Sequence, residues 1–184
     1  MKIKFLLVAF LALVSITGKS QNNSVDATLV KIGGDTLRGK MMVYPTLFSK
    51  NQINEISFIK TVQFENNQGD KKIKIKAPDI QSLSFVDFTG EPRRYINNGR
   101  LLQRLMYDGK TKWLRRIAQN LYDGSLVYNE RFVSETGEVF DVKFDFKKKL
   151  KALTQQKPEL ADEIEKMKLK DDAILNILRK YDSD

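Results

Sequence analysis

The chain has 184 residues, 41% hydrophobic and 30% charged, a composition typical of one globular domain with a packed core. It contains no cysteine and no histidine, and its formal net charge is +9. These absences exclude disulfides, thiol nucleophiles, His-based catalytic triads and nearly every common zinc site. We predict no metal site and no cofactor.

Residues 1–20 have the pattern of a secretory signal peptide. Two lysines give a positive start, residues 5–14 form an unbroken apolar run, and small residues precede a cleavage site between Ser20 and Gln21. Ten apolar residues are too few to span a bilayer, which needs about twenty. The alternatives are a buried core helix and an N-terminal anchor. We expect a periplasmic or secreted protein with no transmembrane segment after cleavage, which removes three lysines and no acid and lowers the formal charge from +9 to +6.

Residues 21–146 are predicted to form a β-rich domain. Turn signals recur about every 8–12 residues, as meandering sheets require. Two hairpins are predicted by such turns, 28–32 with 36–44 and 101–107 with 110–117. Residues 140–146 alternate, so that four apolar side chains are expected on one face of a strand. The pattern indicates an α+β fold that is mainly antiparallel, with a curved sheet or small barrel over about 25–146.

Residues 147–184 are predicted to form a C-terminal appendage of two or three short helices. Leu160, Ile164 and Met167 recur at helical spacing and give one apolar stripe. A further helix is predicted to begin near Asp171, because its acidic start and basic end both suit the helix dipole. We expect the helices to pack on the sheet, the alternative being that they dock on a partner.

The segment 93–116 is strongly basic, with eight Lys or Arg residues and one acid. Arginine forks bind phosphate and carboxylate groups, and interleaved aromatic rings can stack on sugars. We predict a partner-binding surface whose candidate residues are Arg93, Arg94, Arg104, Lys112, Trp113, Arg115 and Arg116. The alternative is a set of solvated strand faces whose cations pair with acids elsewhere in the chain. Because export is expected, the predicted partner is a lipid headgroup, lipopolysaccharide, an acidic glycan or a protein, and not nucleic acid.

No residue is predicted to be catalytic. Asp141 and Asp145 share a strand face in this interpretation, but that face is expected to be exposed, whereas a catalytic acid usually needs a partly buried site. The favoured function is a non-enzymatic binding module of the cell envelope with a basic surface. One alternative is a hydrolase of envelope glycan or peptide that works without His or Cys. The other is a subunit of an envelope assembly that docks through its C-terminal helices.

Four stretches carry a resemblance. They are GDTLRG at 34–39, APDIQSLSF at 77–85, YDGK at 107–110 and the helical pair over 158–181. Together with the N-terminal pattern they resemble a group of uncharacterised secreted proteins of Gram-negative bacteria. The resemblance implies export to the cell envelope and a β-rich body. It implies no activity and assigns no functional residue.

Overall fold

The structure is a computed structural model. The residues that it describes are 23–46, 49–66, 72–120, 122–142 and 144–183. The predicted cleavage site at Ser20 and Gln21 lies outside them. The predicted α+β class is confirmed, with a mostly antiparallel sheet followed by three short helices.

Hydrogen-bonded strands make up nearly half of the described chain. Their bounds are β1 (Ser24–Lys31), β2 (Thr36–Met42), β3 (Pro45–Thr46), β4 (Ser49–Ile53), β5 (Thr61–Asn66), β6 (Ile73–Lys76), β7 (Ile80–Val86), β8 (Pro92–Asn97), β9 (Leu102–Asp108), β10 (Lys112–Gln119), β11 (Leu126–Val133) and β12 (Val139–Val142). Ten of them form one sheet in the order β12-β11-β10-β9-β8-β7-β1-β2-β5-β6, and β3 pairs with β4. Over the described residues the sheet is open, with β12 and β6 as its edges.

Three helices follow the last strand: α1 (Phe146–Leu153), α2 (Leu160–Lys166) and α3 (Asp171–Asp182). The predicted apolar stripe packs against the sheet, since Leu160 and Ile164 are buried and Met167 packs against the same cluster. The predicted start of a helix near Asp171 is confirmed. No helix among the described residues is long and apolar enough to cross a bilayer.

One face of the sheet, called the inner face, carries two separate apolar clusters. The first surrounds Leu29, Leu83 and Tyr95 and is covered by a segment that includes Phe58 and the short 3-10 turn Glu55–Ser57. The second joins side chains of β10, β11 and β12 to the three helices, and its members include Trp113, Phe132, Val142, Leu150, Ile164 and Leu178. The opposite face of the sheet is called the outer face.

The predicted strand over 140–146 is wrong in its second half. β12 ends at Val142, and Asp145 has a left-handed backbone with φ 57°. Phe146 therefore begins α1, and its ring packs edge-on against Phe132 with the centroids 5.6 Å apart. Phe144 is 82% exposed and shares no buried face with the others. The alternation spans two elements, because the left-handed residue turns the chain out of the extended region.

Candidate functional site

The seven predicted binding residues divide between the two faces of the sheet. Successive side chains of a strand point to opposite faces, so the Arg pairs at 93–94 and 115–116 are each split. The inner face carries Arg93, Arg104, Trp113 and Arg115. The outer face carries Arg94, Lys112 and Arg116.

The strand register places the inner arginines between the two apolar clusters. Directly paired residues across neighbouring strands point to the same side. One such row runs through Leu83, Tyr95, Arg104, Arg115, Glu130 and Val142. The row is apolar at both ends and charged in the middle. We call Arg93, Arg104 and Arg115 the arginine seam.

Arg93 is held by carboxylates on three sides. Its Nε donates to Asp87 Oδ2 at 2.6 Å, and its Nη1 donates to Glu55 Oε1 at 2.9 Å. Its Nη2 reaches Glu91 at 3.3 Å. Burial alone would raise the pKa of Asp87, but hydrogen bonds from Thr89, from the Glu91 backbone and from Arg93 lower that pKa to about 2. Arg93 is thus fully engaged within its own chain.

Arg104 shares two of these acids. Its Nη2 donates to Glu91 Oε1 at 2.6 Å, and its Nη1 lies 3.7 Å from Glu55 Oε1. The Glu55 carboxylate is buried, and its other oxygen accepts a hydrogen bond from the buried Tyr95 hydroxyl. Burial and the adjacent Glu55 charge raise the pKa of Tyr95, so Tyr95 stays a neutral donor. The turn before β5 is in this way joined to β8 and β9.

Arg115 joins the sheet to α3. Its Nε donates to Glu130 Oε1 at 2.7 Å, and its two terminal nitrogens donate to Asp171 at 2.7 and 2.8 Å. Trp113 is fully buried and donates its indole N–H to the second Glu130 oxygen at 2.6 Å. Burial would lower the pKa of Arg115, but the hydrogen bond to Asp171 and the charge of Glu130 outweigh it and raise that pKa. Each of the three guanidinium nitrogens of Arg115 therefore donates a hydrogen bond within the chain.

The arginine seam therefore has no spare positive charge. Its three guanidinium groups contact five carboxylates, those of Glu55, Asp87, Glu91, Glu130 and Asp171. Each Arg side chain is only 13–14% exposed. The contacts within the seam are those of a structural ion-pair network.

The outer face holds the accessible part of the predicted surface. Arg94 pairs with Asp108 at 2.7 Å, and Lys112 lies 3.5 Å from the same acid. Arg116 is exposed, and no described residue forms an ion pair with it. The surface extends to residues that the sequence argument missed, since Thr28 links Arg38 to Ser84 and Arg94 in one cross-strand row.

Cations outnumber acids on this outer face. Over the described parts of β1, β2 and β7–β12 the cations are Arg38, Lys40, Arg94, Lys112, Arg116 and Arg131, and the acids are Asp26, Asp108 and Asp141. Every one of these acids is already paired with a neighbouring cation. Arg38 and Arg116 remain without an ion pair among the described residues. Their charge is available to an external anion.

Two depressions lie on the outer face. The larger, of about 620 Å³, is shallow and is lined by Thr28, Arg38, Ser84 and Arg94 among others. The second, of about 410 Å³, lies over β9–β12, and its lining residues are Gln103, Arg116, Ala118, Asn129, Glu130, Arg131, Asp141 and Val142. Both contain exposed arginine and short polar side chains.

The acids considered for catalysis are not brought together. Asp141 is 62% exposed and pairs with Arg131, while Asp145 lies in the turn before α1. Among the described residues no group of three acids is arranged to hold a metal ion.

Comparison with known proteins found no match to a family model, to a curated protein or to a solved structure. The fold and the outer-face chemistry are therefore the observations on which a functional proposal rests.

Proposed function

We propose that this chain is an exported, non-enzymatic binding module of the cell envelope, and that the outer face of its sheet binds an anionic partner. The observation that carries the proposal is the excess of cations on that face, six against three acids over the described parts of β1, β2 and β7–β12. Arg38 and Arg116, which have no ion pair there, are the residues expected to make first contact.

The outer face suits an extended anion rather than a single deep-bound ion. Its cations stand on β2, β8, β10 and β11, and neighbouring strands lie about 4.8 Å apart, so the charges are spread across the sheet one to three strands apart and can contact successive anionic groups. Planar arginine forks bind carboxylate, phosphate and sulfate oxygens with two parallel hydrogen bonds. Exposed charges are screened by salt, so binding should weaken strongly as ionic strength rises.

The cell-envelope part of the proposal is supported by the N-terminal sequence. The order of lysines, apolar run and small residues before Gln21 is that of a cleaved export signal. The resemblance to secreted proteins of Gram-negative bacteria points the same way. In that compartment the abundant anions are lipid headgroups, lipopolysaccharide phosphates and acidic glycans. An acidic protein face is the remaining kind of partner.

The test compares two charge-reversal variants that change the net charge equally. The first carries Arg38→Glu, Arg94→Glu and Arg116→Glu on the outer face. The matched control carries Lys148→Glu, Lys149→Glu and Lys168→Glu, all exposed residues of the helical region. Retention on sulfated dextran beads and on uncharged dextran beads is measured between about 0.05 and 0.5 M salt.

We expect the wild type and the helical control to be retained on the sulfated beads at low salt and released at high salt. The outer-face variant should pass through, while its circular dichroism spectrum stays unchanged. Equal retention of the two variants would mean that only net charge matters and would overturn the proposal. So would retention of the wild type that is indifferent to salt or to bead charge.

A further inference from the structure

The second depression has the features of a specific site within the basic outer face. It lies over β9–β12, and its volume of about 410 Å³ falls within the range of about 300–1,000 Å³ for small-molecule sites. We call it the Gln103 cavity. The inference below rests on the proposed anion-binding function and names the ligand class for one part of that face.

Gln103 gives the cavity an unused hydrogen-bond acceptor. The residue is 1% exposed, and its side-chain carbonyl oxygen Oε1 has no hydrogen-bond partner. Native folds leave few buried polar atoms without a partner, because the desolvation of such an atom is otherwise uncompensated. Gln103 is one of the residues that line the cavity, and a ligand that brings a hydroxyl or amine donor within reach of the buried Oε1 supplies the missing partner.

Arg116 gives the same cavity an unused cation. Its guanidinium forms no ion pair within the described part of the chain, and it lies on β10 directly opposite Asn129 of β11. The Asn129 amide offers both a donor and an acceptor. On the far side Arg131 and Asp141 hold each other, with the Arg131 Nε donating to Asp141 Oδ1 at 2.7 Å.

This combination of groups restricts the ligand. Arg116 favours an anionic group, and the buried Gln103 carbonyl lacks a donor, so a ligand without a donor leaves that carbonyl unsatisfied. Six of the eight lining residues are polar or charged, and of the two apolar ones only Ala118 has its side chain on the outer face, so the cavity offers no slot for an acyl chain. Planar amide, guanidinium and carboxylate groups together match the hydroxyl groups and the single carboxylate of a sugar acid.

We propose that the Gln103 cavity binds a sugar acid, with the carboxylate of the sugar on Arg116 and one of its hydroxyls donating to Gln103 Oε1. The sugar has two possible sources, a free monosaccharide or one residue of an acidic polysaccharide. Asn129 and Asp141 are placed to contact further hydroxyls.

The test is calorimetric titration with four ligands: sodium hexuronate, a polyuronate, a neutral hexose and sodium sulfate. Two variants address the cavity, Arg116→Gln and Gln103→Met, which removes the carbonyl and nearly preserves volume. Lys148→Gln is the matched control, because it removes an exposed cation that lies outside both the cavity and the outer face.

We expect hexuronate to bind, and neutral hexose and sulfate to bind about tenfold more weakly or not at all. Arg116→Gln should weaken hexuronate binding about tenfold or more, and Gln103→Met about two- to tenfold. Lys148→Gln should leave hexuronate affinity within about twofold. Binding of the polyuronate is expected to depend on the same two cavity residues.

Several outcomes would overturn the inference. One is equal binding of sulfate and hexuronate, and another is hexuronate affinity that Gln103→Met leaves unchanged. A third is polyuronate binding that neither cavity variant alters, because charge density alone would then account for it. If Gln103→Met fails to fold, the Gln103 side-chain amide resonances of the wild type are followed instead. They should shift with hexuronate and not with sulfate, and no shift would also overturn the inference.

The failure of this inference is distinguishable from failure of the proposed function. Salt-sensitive retention on sulfated dextran without hexuronate binding would retain the anion-binding face and remove the sugar-acid site. If neither salt-sensitive retention nor hexuronate binding is observed, the anion-binding face and the sugar-acid site are both ruled out.

Discussion

Arg115 was predicted from the sequence to contact a partner, but its structural contacts predict a different effect for Arg115→Gln. The substitution removes the charge that joins β10 and β11 to the start of α3. The hydrogen bond from the Arg115 Nε to Glu130 is lost, as are the two hydrogen bonds from its terminal nitrogens to Asp171. Glutamine is shorter and uncharged, so it cannot replace the fork. We therefore expect a loss of stability.

The magnitude follows from the exposure of each partner. Arg115 and Glu130 are each 14% exposed, and removal of one partner of a buried ion pair costs about 3–5 kcal/mol. The Trp113 indole still donates to Glu130, which places the cost at the lower end of that range. Asp171 is 48% exposed, so its pair with Arg115 contributes about 1 kcal/mol or less. We expect the free energy of unfolding to fall by about 3 kcal/mol.

The assay is urea unfolding at neutral pH, followed by circular dichroism and by the fluorescence of the single tryptophan, Trp113. With an m-value of about 1–3 kcal/mol/M, the midpoint should fall by about 1–3 M and the slope should be unchanged. The control is Arg116→Gln, the next residue on the same strand, which should change stability by about 0.5 kcal/mol or less.

Two results would refute this reasoning. One is a stability loss of less than about 1 kcal/mol for Arg115→Gln, which would mean that the seam contacts contribute as little as surface ion pairs. The other is loss of retention on sulfated dextran by a variant that keeps wild-type stability. In that case Arg115 would contact the partner, as the sequence predicted.

Three further predictions concern stability. The pKa of Asp87 is about 2, below its ordinary value of 3.8, so its contribution is present above about pH 4 and is lost as the pH falls towards 2. Asp87→Asn should lower the free energy of unfolding at neutral pH by about 2 kcal/mol. It should also reduce the fall in melting temperature below about pH 4, and a variant whose melting temperature falls as steeply as that of the wild type would contradict this. Gly109→Ala should lower the melting temperature, because a Cβ there would overlap the Asp182 carboxylate, whereas an unchanged melting temperature would mean that the end of α3 is not docked. Phe144→Ser should change stability by about 0.5 kcal/mol or less, because the ring is 82% exposed, and a larger loss would place Phe144 in the core.

The fold was predictable to the extent that it depends on local signals. The Asp108-Gly109 turn lies between β9 and β10, and the acidic start of α3 lies at Asp171 as predicted. The two hairpins predicted from turn signals are present as β1 with β2 and β9 with β10. Alternation is the pattern of a strand with one buried face. It failed at 140–146, where a left-handed Asp145 separates a strand from a helix although the apolar residues continue with the same period.

The division of the basic segment 93–116 between the two faces of the sheet could be predicted only in part. Alternation alone requires that Arg93 and Arg94 face opposite sides, and the apolar Tyr95 indicates which side is buried. The partners were not predictable, because Glu55 lies 38 residues before Arg93 and Asp171 lies 56 residues after Arg115. Arg38 joins the outer face through sheet order, in which β1 and β2 lie beside β7, and no local pattern encodes that order.

The arginine seam lies between two covers of the inner face. One cover is the segment with the Glu55–Ser57 turn over the first apolar cluster, and the other is the three helices over the second. Arg104 and Arg115 lie directly opposite each other, an arrangement that repels unless carboxylates stand between or beside them. Those carboxylates come from both covers, Glu55 from the turn that closes the first cluster and Asp171 from the helix that closes the second. Each cover therefore supplies a charge that the sheet requires at one position. An apolar replacement of similar volume is often as stable as buried ion pairs, but it would remove the charged contacts that join each cover to a defined position on the sheet.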